Sequence, residues 1–411
     1  MTGNISRLLQ EIDELARISS HPFPAVTRVV FSGEDLRARK WLVEKCEAAR
    51  LTVRFDAVGN LFARAEGSDS ALPALATGSH TDAIPNAGMF DGVVGVLGGL
   101  EAIRTIQESG VRLRHPVELI MFTSEEPTLF GIGCLGSRLM SGSLDPRRAD
   151  DLTDLNGRSL ADWRAGAGYR GDLADVQIPH GHYAAFLELH IEQGPILERE
   201  GLDIGIVEKI AAPAALRLEF TGEGGHAGAV LMPDRHDAGL AAAEVALELE
   251  RLVLTSGSVD CVGTTGMIKL HPNAINSIPC RALLELDIRD TLLVSRDAVV
   301  GGIVEAAREV AGRRGLELRI ERISADPPAL CDERLVDIVE KSAGGLKARK
   351  LVSRAYHDSL FLSRIAPAAM IFIPCKKGWS HRPDEYSSPE QMARGVDVLA
   401  RALVAADSAF F

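Results

Sequence analysis

The sequence predicts an α/β protein in which the larger domain is built on a mixed sheet and a smaller α+β domain is inserted into it. Short, largely apolar runs that end in polar residues are typical of strands buried on both faces. Between residues 212 and 326 apolar and polar residues alternate instead, which indicates strands with one face in water. We therefore expect residues 1–211 and 327–411 to form the larger domain and residues 212–326 to form the insert. The four apolar runs are residues 72–77, 117–122, 183–190 and 368–373.

Ahead of the first apolar run, the spacing of apolar residues predicts two helices, at residues 4–18 and 34–49. Residues 53–65 have the pattern of a hairpin with a Gly-Asn turn, and a further helix is predicted directly after the first buried strand. Residues 143–182 are rich in Asp, Arg and Gly and show little periodicity. We expect this segment to run over the surface, with one short helix at residues 160–165.

The insert has a pattern of its own. Two helical segments lie between strands that alternate apolar and polar residues, which predicts the order βαββαβ. Half-polar alternation indicates an antiparallel, ferredoxin-like sheet with one solvated face. The segments that carry this pattern are residues 215–221, 235–254, 284–288, 295–314 and 316–323.

Composition and charge narrow the class of partner. The chain has 411 residues, of which 46% are apolar and 25% are charged, as in ordinary globular enzymes. A formal net charge of −12 argues against binding to nucleic acid or to an anionic membrane, because both attract clustered Lys and Arg. The six cysteines show no C-x-x-C spacing, and neither a signal-peptide core nor a membrane-length apolar run is present. We expect a cytoplasmic protein that acts on a small molecule.

The polar residues after the first apolar run could form half of a metal site. His80 lies where a strand ends, and ligands of open α/β sheets collect at such ends. Its imidazole could bind a cation, Asp82 could accept its other N–H, and Asp91 could bridge two cations. The same residues could instead be ordinary loop residues, because H-x-D followed by D-G is a weak signal alone. The case for a metal site therefore depends on the other strand ends.

Residue types that bind metals also follow the other three apolar runs. Glu125 and Glu126 follow the second run, although adjacent Glu residues are also common on solvated helices. At a strand end, one carboxylate could bind a cation and the other could take a proton from the attacking water. His190 ends the third run and could otherwise be a core histidine, and His381 follows the fourth run. Nitrogen and oxygen ligands without thiolates suit zinc, manganese or cobalt.

Six motifs occur in order along the chain: G-S-H-T-D, M-F-D-G-V-V-G-V, F-T-S-E-E-P, E-L-H-I-E-Q-G-P, G-G-H-A-G and W-S-H-R-P-D-E. This set resembles the hydantoinase/carbamoylase amidase branch of the dinuclear-metal aminoacylase and carboxypeptidase superfamily. The resemblance covers nearly the whole chain and implies a metallopeptidase-like catalytic domain with an inserted lid that also forms a dimer interface. The wider superfamily usually has a carboxylate at the position of His190, which favours the branch that cleaves ureido groups over the peptidases.

The resemblance implies two divalent metal ions, zinc or manganese, in the catalytic domain. His80 and His190 would hold one cation. Glu126 and His381 would hold the other, and Asp91 would bridge the two.

The resemblance also implies catalytic and substrate-binding residues. Glu125 would be the general base and Asp82 would orient His80. His226, in the Gly-rich loop of the insert, would reach the site of the partner subunit in a homodimer and stabilise the oxyanion. Arg289 is suited to binding a substrate carboxylate in bidentate fashion, although a surface ion pair with a neighbouring Asp is the alternative. The expected substrate-binding residues are Gln193, Asn273, Asn276, Arg289, Tyr356 and His357.

Substrate preference within the branch depends on a few residues. Tyr356 precedes the pair His357 and Asp358, where other members tend to have Gly, and its phenol could narrow the pocket around a small hydroxylated substrate. A buried core tyrosine is the alternative. The resemblance implies hydrolysis of a ureido C–N bond and favours ureidoglycolate, an intermediate of purine catabolism, with N-carbamoyl-L-amino acids and allantoate as alternatives. A metal-binding protein without activity is a further alternative, but the presence of Glu125 beside Glu126 argues against it.

Overall fold

The computed structural model describes residues 1–410. Within these residues, none of the helices combines the length and the apolar character needed to cross a membrane. The helices, in chain order, are α1 (Ile5–Ala16), α2 (Gly33–Ala48), α3 (Val93–Glu108), α4 (Leu135–Met140), α5 (Pro146–Asp150), α6 (Leu160–Gly166), α7 (Ile196–Glu200), α8 (Ala238–Leu254), α9 (Leu293–Arg314), α10 (Glu333–Ala343), α11 (Asp358–Leu362) and α12 (Pro389–Ala409). The strands are β1 (Val26–Arg28), β2 (Thr52–Phe55), β3 (Leu61–Ala65), β4 (Ala74–His80), β5 (Ala83–Ala87), β6 (Val117–Phe122), β7 (Tyr183–Ile191), β8 (Ile204–Ile210), β9 (Ala212–Thr221), β10 (Gly225–His226), β11 (Val262–His271), β12 (Ser277–Ile278), β13 (Arg281–Asp290), β14 (Glu317–Ala325), β15 (Ala329–Leu330), β16 (Ala348–Ser353) and β17 (Ala368–Ile373).

The described residues divide into two compact units. The first unit comprises Met1–Glu208, Leu330–Ser353 and the chain from His357 onward. The second comprises Lys209–Ala329 and the short segment Arg354–Tyr356. This short segment was expected in the larger domain, but it groups with the second unit because Arg354 forms an ion pair with Asp260 and Tyr356 lies beneath the guanidinium of Arg289.

A mixed sheet forms the centre of the first unit. Its strand order is β15-β8-β17-β7-β4-β6-β3-β2, with β16 paired to β8. The central strands β17, β7, β4 and β6 are parallel, whereas β8 and β3 pair with their neighbours in antiparallel fashion. Every residue of β4, β6 and β17 is buried, as is typical of parallel strands in α/β proteins. The predicted α/β class with a mixed sheet is confirmed.

The first buried strand extends further than predicted. Its apolar pattern covers residues 72–77, but β4 continues through Gly78 to His80. A Cβ atom at Gly78 would lie 1.9 Å from the carbonyl oxygen of Ile120 in β6. Only glycine therefore allows the two backbones to stay paired this far, and the pairing carries His80 to the edge of the sheet.

Residues 143–182 run largely over the surface, as predicted, and the short helix expected at residues 160–165 is present as α6. The segment forms α5, α6 and a short 3-10 turn, and its apolar side chains complete a core on one side of the mixed sheet with Phe122 and Phe186. These apolar residues are spread over several short elements, so no single helix or strand gives the sequence a periodic signal. The buried side chains of the segment are Ala149, Leu160, Leu173 and Val176.

The second unit is an antiparallel sheet of order β11-β13-β9-β14 with α8 and α9 packed on one face. The predicted order βαββαβ is found. The residues of β11 were the one strand of this order that the sequence pattern did not identify. The strand β11 forms an edge of this sheet, and Ile268 and Leu270 on it are exposed. Exposed apolar residues on a long edge strand are unusual in a monomer, because such edges pair readily with another chain.

Ion pairs fasten α1 to α3 in the first unit. Glu101, which is 1% exposed, accepts hydrogen bonds from the backbone N–H of Asn4 and from two nitrogens of Arg7, at 2.7 to 2.8 Å. Arg104 donates to both carboxylate oxygens of Glu11, at 2.8 and 3.1 Å. Because the N-terminus of α3 directly follows the Phe-Asp-Gly motif, these contacts hold in place the helix that presents that motif.

We expect the buried pair to contribute more to stability than an exposed pair made by the same arginine. Replacement of Glu101 by Ala leaves the Asn4 N–H and two of the three bonded nitrogens of Arg7 without their acceptor, and it should lower the free energy of unfolding by about 2–4 kcal/mol. The matched control is Glu108→Ala, which removes the exposed partner of Arg7 and should change stability by less than about 1 kcal/mol. Urea denaturation of both variants tests this, and equal losses would contradict it.

Candidate metal centre

The parallel register of the central strands brings the predicted metal ligands to one edge of the mixed sheet. His80 is paired with Phe122, the last residue of β6, so Glu125 and Glu126 follow directly beside it. His190 is paired with Phe372 near the end of β17. The loop after β17 then carries His381 back to the same edge.

Two groups of side chains at this edge share Asp91. In the first group, the Oδ1 atom of Asp91 lies 3.2 Å from Nε2 of His190 and 3.8 Å from Nε2 of His80. In the second group, Nε2 of His381 lies 3.3 Å from Oδ2 of Asp91 and 3.2 Å from Oε1 of Glu126. The ligand atoms within each group are close enough together to hold one cation. The structure thus brings together all five predicted metal ligands, with Asp91 at the centre.

The ring orientation of the two buried histidines fits a bound cation. Nδ1 of His80 lies 3.0 Å from the carbonyl oxygen of Asp82, and Nδ1 of His190 lies 2.9 Å from that of Ile191. A carbonyl only accepts, so both Nδ1 atoms must carry a proton. Each Nε2 atom therefore turns its lone pair towards the Asp91 carboxylate, and Nε2 of His190 also accepts the backbone N–H of Gly92 at 3.1 Å. A cation between the Nε2 atoms and the carboxylate would relieve the repulsion between these acceptors.

The pKa values of the histidines and of Asp91 also favour a bound cation. Burial disfavours the charged imidazole of His190, yet the hydrogen bond to Asp91 raises its pKa to about 9. Contacts with Asp91 and Glu126 raise the pKa of His381 to about 11. Although burial opposes ionisation of Asp91, the hydrogen bonds from His190 and His381 hold its pKa well below the usual range. Divalent cations bound at these two groups would supply positive charge in place of the protons that His190 and His381 attract.

Gly92 gives His80 the space that it occupies. Its φ of +66° is in the left-handed region, and a Cβ atom there would lie 2.4 Å from Nε2 of His80. Ser124, Gln193 and His381 also have left-handed backbone conformations, with φ of +57°, +54° and +59°. Such conformations cost energy in residues other than glycine and often occur at functional sites.

Glu125 belongs to neither group of ligands. Its side chain is buried, and its Oε2 atom lies 3.7 Å from Nε2 of His80. The thiol of Cys134 is 3.5 Å from its other oxygen. Burial, together with the charges of Glu126 and Asp358, raises the pKa of Glu125 well above that of an ordinary glutamate. A buried carboxyl group with a raised pKa beside the cation sites is suited to accepting and returning a proton.

Asp82 makes contacts that differ from those expected. Its carboxylate lies 3.7 Å from Nδ1 of His80, beyond hydrogen-bonding distance, and its backbone carbonyl accepts the imidazole proton instead. The two carboxylate oxygens accept the backbone N–H groups of Glu125 and Glu126, at 3.3 and 3.1 Å. The tight turn at Ser124 aims these N–H groups at the carboxylate. The expected hydrogen bond between His80 and the Asp82 carboxylate is therefore not made, and the backbone carbonyl of the same residue takes its place.

The predicted substrate-binding residues of the first unit contact the metal ligands. Nε2 of Gln193 donates to Oδ2 of Asp91 at 2.7 Å and to Oγ of Ser380 at 3.3 Å. His357 is 2% exposed, and its ring packs 4.5 Å from that of His190. The structure therefore places both residues around the ligands, and His357 is buried behind them.

The other predicted residues lie in the second unit. Oxygens of Asp287 accept two hydrogen bonds from Arg289, at 2.8 and 2.9 Å, so the predicted alternative of a surface ion pair is present in this structure. Nδ1 of His226 accepts the N–H of Gly228 at 3.1 Å, which leaves Nε2–H of this exposed ring as a donor. Asn273 and Asn276 are exposed in the same unit.

A buried carboxylate of this site was missed by the sequence interpretation. Glu385 is 3% exposed, and its Oε1 atom accepts the backbone N–H groups of Phe90 and Asp91 at 2.8 and 3.0 Å. Burial and the charge of Asp91 raise the pKa of Glu385 to about 7. The W-S-H-R-P-D-E motif contains this residue, but nothing in that motif distinguishes Glu385 from its exposed neighbour Asp384.

Comparison with known proteins agrees with this geometry. The model of the peptidase family M20/M25/M40 matches residues 76–405. Ureidoglycolate hydrolase of Oryza sativa subsp. japonica is 53% identical over 96% of this chain and 83% of its own length, and that of Arabidopsis thaliana is 52% identical over 96% and 85%. N-carbamoyl-L-amino acid amidohydrolase of Geobacillus stearothermophilus is 38% identical over 96% of both chains.

Solved structures show the same relationship. The crystal structure of AtUAH in complex with glyoxylate matches with a TM-score of 0.94 and 50% identity, over 99% of both chains. An amidase of the hydantoinase/carbamoylase family from Burkholderia vietnamiensis matches with a TM-score of 0.92 and 34% identity, over 98% of both chains. Members of this family typically bind divalent metals, and the two groups of side chains around Asp91 are candidates to hold them. This chain belongs to the peptidase family M20/M25/M40 and, within it, to the amidases of the hydantoinase/carbamoylase group.

Proposed function

We propose that this protein is a metal-dependent amidohydrolase that cleaves the ureido C–N bond of ureidoglycolate. The observation that carries the proposal is a buried carboxylate, Glu125, placed beside two groups of metal ligands that share Asp91. The relatives at 52% and 53% identity are ureidoglycolate hydrolases, and this identity extends along nearly the whole chain.

Two divalent cations, zinc or manganese, are proposed as cofactors. His80 and His190 would hold one of them, Glu126 and His381 would hold the other, and each oxygen of Asp91 faces one group. When bound, such cations make water a stronger acid and polarise the carbonyl oxygen of the substrate.

The known ligands of AtUAH indicate which bond would break. Its structures contain glyoxylate and (S)-hydroxyglycine, and hydroxyglycine is what remains of ureidoglycolate when the carbamoyl group is removed. Water would form a C–O bond to the carbamoyl carbon and give one proton to Glu125. The bond between that carbon and the nitrogen of the hydroxyglycine fragment would then break, and Glu125 would return the proton to this nitrogen. The products would be carbamate, which releases ammonia, and hydroxyglycine.

Residues of the second unit are proposed to complete the site from the partner subunit of a homodimer. The free Nε2–H of His226 suits a donor to the oxygen that becomes negative in the transition state. Arg289 and Asn276 would bind the carboxylate of the substrate, and Arg289 would then share its guanidinium between this carboxylate and Asp287. The exposed apolar edge strand β11 supports dimer formation through this unit.

Tyr356 and the cysteines support proposals about the substrate pocket and the compartment. Tyr356 is half-buried and lies against Arg289, with the guanidinium carbon 5.2 Å from the ring centroid. A phenol there would favour a small hydroxylated substrate over a bulky carbamoyl amino acid. The six cysteines, all among the described residues, are unpaired, which supports a reducing compartment such as the cytoplasm.

Substrate and metal dependence can be tested together. We expect ammonia release from ureidoglycolate by protein that has been stripped of metal and then reconstituted with Mn²⁺ or Zn²⁺, and none from the stripped protein. Allantoate and N-carbamoyl-L-amino acids should be turned over at least about tenfold less well, because the pocket would leave their larger groups poorly placed. Preference for a carbamoyl amino acid would instead assign the protein to the function of its 38% identical relatives.

Replacement of Glu125 by Gln should separate catalysis from metal binding. The variant keeps the ligands of both cations, so its metal content should equal that of the wild type. Its kcat should fall by about 10²- to 10⁴-fold, because the amide cannot accept the proton of water. The matched variant Glu126→Gln removes a ligand and should lose cation as well as activity. Metal analysis of both proteins decides the matter, and loss of cation from Glu125→Gln would show that the roles of the two carboxylates are wrongly divided.

A further inference from the structure

The carboxylate of Glu385 has a position that the proposed reaction does not use. It is buried in the loop that also carries His381, and it does not belong to either group of metal ligands. Burying a carboxylate is costly unless hydrogen bonds compensate for the lost water. Glu385 is therefore expected to have a function that outweighs this cost.

Both oxygens of Glu385 are directed at the residue shared by the two ligand groups. Its Oε1 atom accepts the N–H groups of Phe90 and Asp91, which fixes the backbone on which the Asp91 side chain is mounted. Its Oε2 atom lies 2.9 Å from Oγ of Ser380. The same hydroxyl lies 2.6 Å from Oδ2 of Asp91. Glu385 thus reaches both the backbone and, through Ser380, the carboxylate of Asp91.

Gly88 leaves the space that the carboxyl group of Glu385 occupies. A Cβ atom at Gly88 would lie 2.5 Å from both the Cβ and the Oε1 atoms of Glu385 and 2.6 Å from its carboxyl carbon. No side chain can therefore be accommodated at position 88 without moving Glu385. The segment from Gly88 to Asp91 therefore holds this carboxyl group in one place.

We propose that Glu385 is a positioning residue that, together with Ser380, holds the Asp91 carboxylate so that one oxygen faces each cation site. The inference rests on the proposed function, because it concerns the residue that would bridge the two cations. Without these contacts the Asp91 side chain could rotate about its bonds, and its two oxygens would no longer each face one cation site. Outer contacts of this kind typically change metal affinity by about 10- to 100-fold.

Hydrogen-bond counting distinguishes positioning from charge. The hydroxyl of Ser380 has one proton but lies within hydrogen-bonding distance of two carboxyl groups. A Gln at position 385 would accept the two backbone N–H groups through its oxygen and donate to Ser380 through its nitrogen. A positioning role is therefore compatible with Gln, whereas a role that needs a negative charge is not.

The test measures binding of Mn²⁺ to the purified, metal-stripped protein by equilibrium dialysis, apart from any activity. We expect Glu385→Leu to lower the affinity for both cations by about 10- to 100-fold, and Gly88→Ala to do the same without removing the carboxyl group. Glu385→Gln should stay within about twofold of the wild type, as predicted by the hydrogen-bond count. The matched control is Asp384→Asn, which changes the adjacent, exposed carboxylate that pairs with Arg382 and should bind Mn²⁺ as the wild type does.

The outcomes separate this inference from the proposed function. If the wild type does not bind Mn²⁺ or Zn²⁺ at all, the proposed function fails and the inference fails with it. If the wild type binds two cations and folded Glu385→Leu binds them equally well, only the positioning role is refuted. Equal losses in the Gln and Leu variants would also refute it, since charge would then be what matters. If Glu385→Leu does not fold, as judged by circular dichroism, Gly88→Ala and Ser380→Ala decide the question by the same measurement.

Discussion

The crowding of buried carboxylates at one edge of the mixed sheet is the constraint on which the rest of this site depends. Asp91, Glu125 and Glu126 are all buried close together, where like charges repel strongly and hydration compensates little. These carboxylates need positive charge beside them. The three imidazoles around Asp91 are placed to bind the cations that would supply it. The backbone carbonyls behind His80 and His190 fix which ring nitrogen faces the carboxylates.

Much of the first unit could be predicted from the sequence, because buried parallel strands are short apolar runs whose ends are visible. Strand pairing then brings His80, Glu126 and His190 to one edge, and the loop after β17 returns His381 to the same place. The four buried side chains of residues 143–182 could not be predicted in this way. Their core contacts come from single side chains on several short elements, which produce no period.

The details that the sequence did not reveal are contacts made by the backbone. Whether Asp82 meets His80 through its carboxylate or its carbonyl depends on the turn at Ser124, whose left-handed conformation has no sequence signature. Glu385 is indistinguishable in sequence from Asp384 beside it, yet one is buried and the other is exposed. The difference is set by the space at Gly88, a contact between segments almost 300 residues apart in the chain.

This long separation has a consequence for how the protein is made. The ligand groups draw on residues from His80 to His381, with the whole second unit lying between His190 and His381 in the chain. During synthesis the first three strand ends leave the ribosome long before His381 and β17 do. The nascent chain therefore has an incomplete set of candidate ligands until the segment around His381 has emerged and folded. A polypeptide that stopped before His381 would therefore keep only one of the two groups around Asp91.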